Sequence, residues 1–130
     1  PMSRRANYAL VNVMSQLGET ADALDTPWAE FAGNATAPQG FEVPTDDPTE
    51  AFVQLQAYDV GTFGHEIVVN GEPLSGFDIP PSPGWQCWMD SVSGTSLTGG
   101  ENTLRVRRDD TTEDAFVVGT ATVHWKEPVD

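Results

Sequence analysis

The chain has 130 residues, 38% of them hydrophobic, and sets twenty acidic side chains against six basic ones for a formal net charge of −14. The lone cysteine, Cys87, excludes an intramolecular disulfide and a multi-cysteine zinc site. The charge disfavours nucleic acid, since the Arg105, Arg107 and Arg108 group runs straight into Asp109 and Asp110. So many carboxylates with a single lysine predict a surface suited to concentrated salt, a halophile-type protein, and a cytoplasmic location.

One domain over residues 1–130 is expected from the length, with four tryptophans and six phenylalanines to fill its core. Ser3-Arg4-Arg5 superficially matches an export signal. The apolar run behind it is short, is broken by Asn12 and lacks a small-residue cleavage site, so neither a leader nor a membrane span is expected. Residues 8–14 are β-prone, and 16–24 would hold one short helical turn capped by Ser15. Residues 26–48 are rich in Pro, Gly, Asn and Thr, with short strands at 28–31 and 41–43 at most. The first fifty residues therefore read as an irregular wrap with one or two strands, and 51–126 as the regular core.

In that core Val53, Leu55 and Ala57 alternate with Gln54, Gln56 and Tyr58, the period of a half-buried strand. His65, Ile67 and Val69 alternate with Glu66, Val68 and Asn70, and Asn70-Gly71 ends the run in a tight turn. Pro80, Pro81 and Pro83 interrupt the chain before a strand at 85–92 that puts Trp85 and Trp88 on opposite faces. A Gly/Ser/Thr loop at 93–100 leads to a strand at 102–108, and an acidic turn at 109–114 leads to the last strand, 116–126. There Val117, Ala121, Val123 and Trp125 face one way and Thr120, Thr122, His124 and Lys126 the other. Short strands with frequent turns predict an all-β protein, an antiparallel jelly-roll-like β-sandwich.

The segment Gly64-His65-Glu66-Ile67-Val68-Val69-Asn70-Gly71 with Leu74, followed by Leu97 and Gly100-Glu101-Asn102-Thr103-Leu104-Arg105-Val106, resembles the galactose-binding-like jelly-roll domains. Those domains end one strand in an Asn-Gly turn and run a later loop into a "G-x-N-T-L-x-V" strand. The resemblance covers 51–125, concerns scaffold positions, and implies the fold without a ligand. Met89-Asp90-Ser91-Val92 stands where these domains often carry a short polar "D-V-T". The whole chain also resembles an uncharacterised acidic protein family of salt-loving archaea.

No strong catalytic motif is present: there is no G-x-S-x-G elbow, and the 94–100 loop lacks the lysine and helix of a phosphate cradle. Cys87 on a strand reads as a small core hydrophobe. His65 and His124 with Asp59 or Glu66 would suit a metal of the cupin kind, with Asp59 and His65 the candidates, but no H-x-H spacing supports it, and strand-end histidines in hydrogen bonds explain the same residues. No cofactor is required; Ca²⁺ would need Asp46, Asp47, Asp59 or the 109–114 turn, which reads equally as solvated acidic surface. Gln54, Gln56, Tyr58, Arg105, Arg107 and His124 occupy outward strand positions that avoid the protein's dominant charge, and Trp85 would add a stacking ring. They are expected to converge on one face that contacts a protein partner or a second copy. The alternatives are a carbohydrate-binding domain and a small metal-dependent enzyme, against the plainer reading of a solvated sheet face.

Overall fold

The computed structural model describes residues 3–74, 79–92 and 97–129; the expected 93–100 loop thus falls partly outside the described residues. Among the described residues nine strands run in chain order: β1 Arg4–Leu17, β2 Glu30–Gly33, β3 Gln39–Val43, β4 Thr49–Val60, β5 Glu66–Val69, β6 Glu72–Pro73, β7 Ser82–Ser91, β8 Gly100–Arg107 and β9 Phe116–Pro128. They form a five-stranded sheet, β2-β1-β9-β4-β7, against a four-stranded sheet, β3-β8-β5-β6. The molecule is an all-β sandwich. Every pairing is antiparallel except β1 with β2.

Alternation builds the core. β4 buries Ala51, Val53, Leu55 and Ala57, β8 buries Leu104 and Val106, β5 buries Ile67 and Val69, and β9 adds Ala121, Val123 and Trp125. Val117, expected among them, is buried but lies outside this cluster, and Phe116 and Val118 take its place. The reason is a slip in β9's pairing with both neighbours, between Asn12 and Ser15 on β1 and between Leu55 and Ala57 on β4, which shifts the phase of the strand's first residues.

The first fifty residues supply three strands, β1, β2 and β3, in place of an irregular wrap; β1 is fourteen residues long. The helical turn expected at 16–24 is absent. Gln16 and Leu17 pair with Val117 and Phe116 in the sheet, and ladder bonds with burial of Leu17 outweigh a single turn whose nucleation is unfavourable. Among the described residues no helix is long and apolar enough to cross a membrane.

The residues of the galactose-binding-like resemblance tie the Asn70-Gly71 turn to the start of β8 and the residues just before it. Asn102 Oδ1 accepts hydrogen bonds from Asn70 Nδ2 (2.8 Å) and Thr98 N (2.9 Å), and Asn102 Nδ2 donates to the Thr98 and Gly100 carbonyls. Asn70 Oδ1 accepts from Thr103 N (2.8 Å). Asn70 also takes the positive φ of 52° that the Asn-Gly turn requires.

Candidate ligand-binding face

The outer face of the five-stranded sheet carries the residues that β4, β7, β9 and β1 turn away from the core. Tyr8 pairs with His124, His124 with Phe52, and Phe52 with Ser91; in the next row Leu10, Thr122, Gln54 and Met89 follow one another across the sheet. Gln56 then pairs with Cys87 and Tyr58 with Trp85. No outward position in this stretch of β4, β7 or β9 carries a carboxylate, in a chain of net charge −14.

At one end the loop between β1 and β2 folds over the sheet and delivers Trp28. Thr26 Oγ1, buried, donates to Gln16 Oε1 at 3.3 Å and fixes that loop against β1. Trp28 meets Tyr58 edge-on at 5.6 Å between ring centroids and Trp85 at 5.7 Å, and Tyr58 lies 5.3 Å from Trp85. The trio is packed yet open: Trp28 and Trp85 stay 48% and 49% exposed. Gly119 lies under the Trp85 ring, where a β-carbon would press on it.

Beside the trio a groove of about 410 Å³ is lined by Met14, Gln56, Trp85, Gln86 and Cys87. Met14 reaches it from the irregular stretch of β1, where its φ of 40° marks a bulged backbone. A second depression of about 280 Å³ adjoins it over Leu10, Gln54, Thr120 and Thr122. Further along, His124 stacks on Phe52 at 4.4 Å and its Nε2 lies 2.7 Å from Gln54 Oε1, while Gln54 Nε2 donates to Met89 Sδ at 3.4 Å. That chain fixes the Gln54 amide at both its oxygen and its nitrogen.

Of the residues singled out in the sequence, Gln54, Gln56, Tyr58, Trp85 and His124 share this face. Arg105 and Arg107 do not: β8 belongs to the four-stranded sheet, so outward positions of the two sheets point in opposite directions. Arg107 pairs there with Glu66 at 3.0 Å. Cys87 is exposed on the outer face instead of lying in the core, because β7 turns Gln86 and Trp88 inward and Trp85, Cys87 and Met89 out. Sequence reasoning passed over Trp28, Leu10 and Met14. For Leu10 the alternation with Tyr8 and Asn12 was a usable signal; Trp28 depends on a loop path that no local pattern encodes.

The metal candidates are occupied otherwise. His65 is fully buried, its Nε2 2.6 Å from Asp114 Oδ2 and its Nδ1 accepting from Asp109 N at 3.0 Å. Asp114 also accepts from the Gly61 and Thr62 amides, and Asp59 Oδ1 accepts from Gly84 N. Asp109 takes the Thr111 hydroxyl and amide, which hold its carboxyl below the usual range. Asp47 pairs with Arg4. These carboxylates point at donors and do not converge, and among the described residues no three His, Cys, Asp or Glu are placed to share an ion.

The profile of DUF7383, a family of unknown function, matches residues 5–127. The chain belongs to that family. No curated protein matches a DUF7383 chain of this sequence. In fold it is similar to the CBM36-1 domain of a multidomain xylanase from the hindgut metagenome of Trinervitermes trinervoides (11% identity, TM-score 0.55, 90% of this chain on 96% of that one). It is similar as well to a family 35 carbohydrate-binding module from an environmental isolate (16% identity, TM-score 0.56, 93% on 97%). A part of dimeric latent PorU from Porphyromonas gingivalis shares the fold too (10% identity, TM-score 0.58, 96% on 13%). At these identities the likeness is one of fold, the jelly-roll β-sandwich.

Proposed function

We propose that this DUF7383 protein is a carbohydrate-binding module whose recognition surface is the outer face of the five-stranded sheet. The observation that carries the reading is the half-exposed trio Trp28, Tyr58 and Trp85 at the end of a strip of Gln and Thr without carboxylates. Sugar rings present apolar C–H faces that stack on aromatic rings and equatorial hydroxyls that pair with planar amides and hydroxyls, so a site for them needs both surfaces side by side. The modules of similar fold support the same reading.

The test is binding of soluble polysaccharides in concentrated KCl, followed by calorimetry and by tryptophan fluorescence. Trp85→Ala should weaken binding about tenfold or more, as loss of a central aromatic anchor does, while leaving the sandwich folded. If no saccharide binds, or if the variant binds as well as the parent, the reading falls.

A second reading, a protein-interaction module, is favoured by Leu10 and Met89, which are 66% and 55% exposed in the middle of the same face. Aromatic residues and Met without Lys or Glu are the composition of an interface centre. Self-association that Leu10→Gln and Met89→Gln abolish would select it.

A further inference from the structure

We propose a second ligand site, independent of the sheet face, in which Arg105 binds a small organic carboxylate. Five of the six basic side chains are engaged: Arg4 with Asp47, Arg5 with Glu127, Arg107 with Glu66, Lys126 with Glu50, and buried Arg108 with Asn34 Oδ1 and the Thr112 carbonyl. Arg105 alone has no acceptor among the described residues, and its Nε is shielded from water without a partner. With twenty acidic side chains in the sequence, a guanidinium left without a carboxylate is the exception that calls for a cause.

The place of Arg105 supplies one. It lines a groove of about 440 Å³ bounded by Ser15 on β1, Glu30 and Phe31 on β2, and Thr36 and Gln39 beside β3. The wall next to Arg105 is fixed, because Thr36 N donates to Val106 O and Val106 N donates to Thr36 Oγ1 at 3.0 Å. The volume is that of a small-molecule site. With Nε closed off, the terminal nitrogens are the fork left for a ligand, and a planar fork matches a carboxylate in bidentate geometry. Glu30, in the same groove without an ion pair to Arg105, sets the charge limit: a second negative group on the ligand would face it. The ligand is therefore a monocarboxylate, its remaining polar atoms served by Ser15 and Gln39 and its apolar edge by Phe31.

The experiment titrates the ¹⁵N-labelled protein with potassium gluconate, and with sorbitol as its neutral counterpart, at constant K⁺ and ionic strength. Gluconate should shift the Arg105 side-chain resonance and the amides of 30–39 saturably, and sorbitol should not. Arg105→Gln should abolish the effect, Arg105→Lys should weaken it severalfold, and Trp85→Ala should leave it unchanged, so that failure of the sheet-face reading remains distinguishable. Should Arg105→Gln fail to fold, Glu30→Gln decides: removing the competing charge should tighten binding severalfold, and no change or a loss overturns the proposal. Equal shifts with sorbitol, or gluconate shifts that persist in Arg105→Gln, overturn it as well.

Discussion

The ring of Trp85 lies so close over Gly119 that a β-carbon on residue 119 would stand 3.0 Å from ring atom Cζ3 and 3.2 Å from Cη2. The glycine is a seat for the ring, and its backbone needs no unusual φ to serve as one. Gly119→Ala should push the Trp85 ring outward by a few tenths of an ångström and weaken saccharide binding measurably but less than Trp85→Ala does, with little change in melting temperature. Unimpaired binding in Gly119→Ala, measured by the same fluorescence titration, would show that the position of this ring does not matter.

Cys87 offers a chemical check on the same surface. It is exposed, sits between Trp85 and Met89 on β7 and lines both depressions of the face. Alkylation with a bulky maleimide should block saccharide binding, and bound saccharide should slow the alkylation. Labelling that proceeds at the same rate with and without saccharide would separate Cys87 from the site.

The net charge of −14 should make stability rise with salt. Self-repulsion acts over a Debye length of about 30 Å at 0.01 M and of about 3 Å at 1 M ionic strength. The melting temperature should rise by roughly 10 °C between these limits, the equivalent of about 2–3 kcal/mol. A flat profile by calorimetry in KCl would mean that the acidic side chains are too far apart to oppose folding.

Trp125 anchors the last strand. Its ring is buried in the core, and its Nε1 donates to Glu127 Oε1 at 2.8 Å. Trp125→Ala should cost about 3–5 kcal/mol in urea unfolding, the range for large-to-small core changes. A loss below 1 kcal/mol would mean that the core closes over the gap.

Two buried carboxylates should respond to acid with opposite signs. Glu127 accepts hydrogen bonds from Asn7, Trp125 and Arg5, which hold its carboxyl below the usual range. Its stabilisation is present above the ordinary glutamate value and is lost as pH falls through the lowered one. Burial pushes the Asp90 carboxyl above the usual aspartate range, and neither of its buried oxygens has a hydrogen-bond partner among the described residues. Its penalty is full above the raised value and vanishes below the ordinary aspartate value. At pH 7 Glu127→Gln should be less stable than the parent and Asp90→Asn more stable, both differences shrinking near pH 4. Urea melts at the two pH values decide it, and a destabilised Asp90→Asn at pH 7 would contradict the sign.

Local patterns carried most of the strand assignment. The alternation at 53–57, 67–69 and 104–106 gave core positions that are buried in the structure, as are Val123 and Trp125. Alternation sorts residues into in and out within one strand but says nothing of which sheet the strand joins. Alternation therefore places Arg105 with Gln54 and Tyr58: all three are outward, and only the strand order separates them. The phase of Val117 was lost at a slip in pairing that involves β1 and β4, far away in sequence. Trp28 was out of reach for the same kind of reason, because its partners Tyr58 and Trp85 are brought to it by tertiary structure alone.

β9, the last strand of the domain to leave the ribosome, is also the one that joins β1 to β4. Until it arrives, those two long strands have no common partner, and Phe116, Val118, Ala121, Val123 and Trp125 are missing from the core. β4 with β7 and β8 with β5 can form ahead of it as separate hairpin-like pieces. Closure is therefore a late event that joins Leu17 to Phe116 across nearly a hundred intervening residues, as in other sheet proteins dominated by distant pairings. Until then the edges of β1 and β4 that β9 will cover are unpaired, the condition in which a strand edge is open to pairing with another chain.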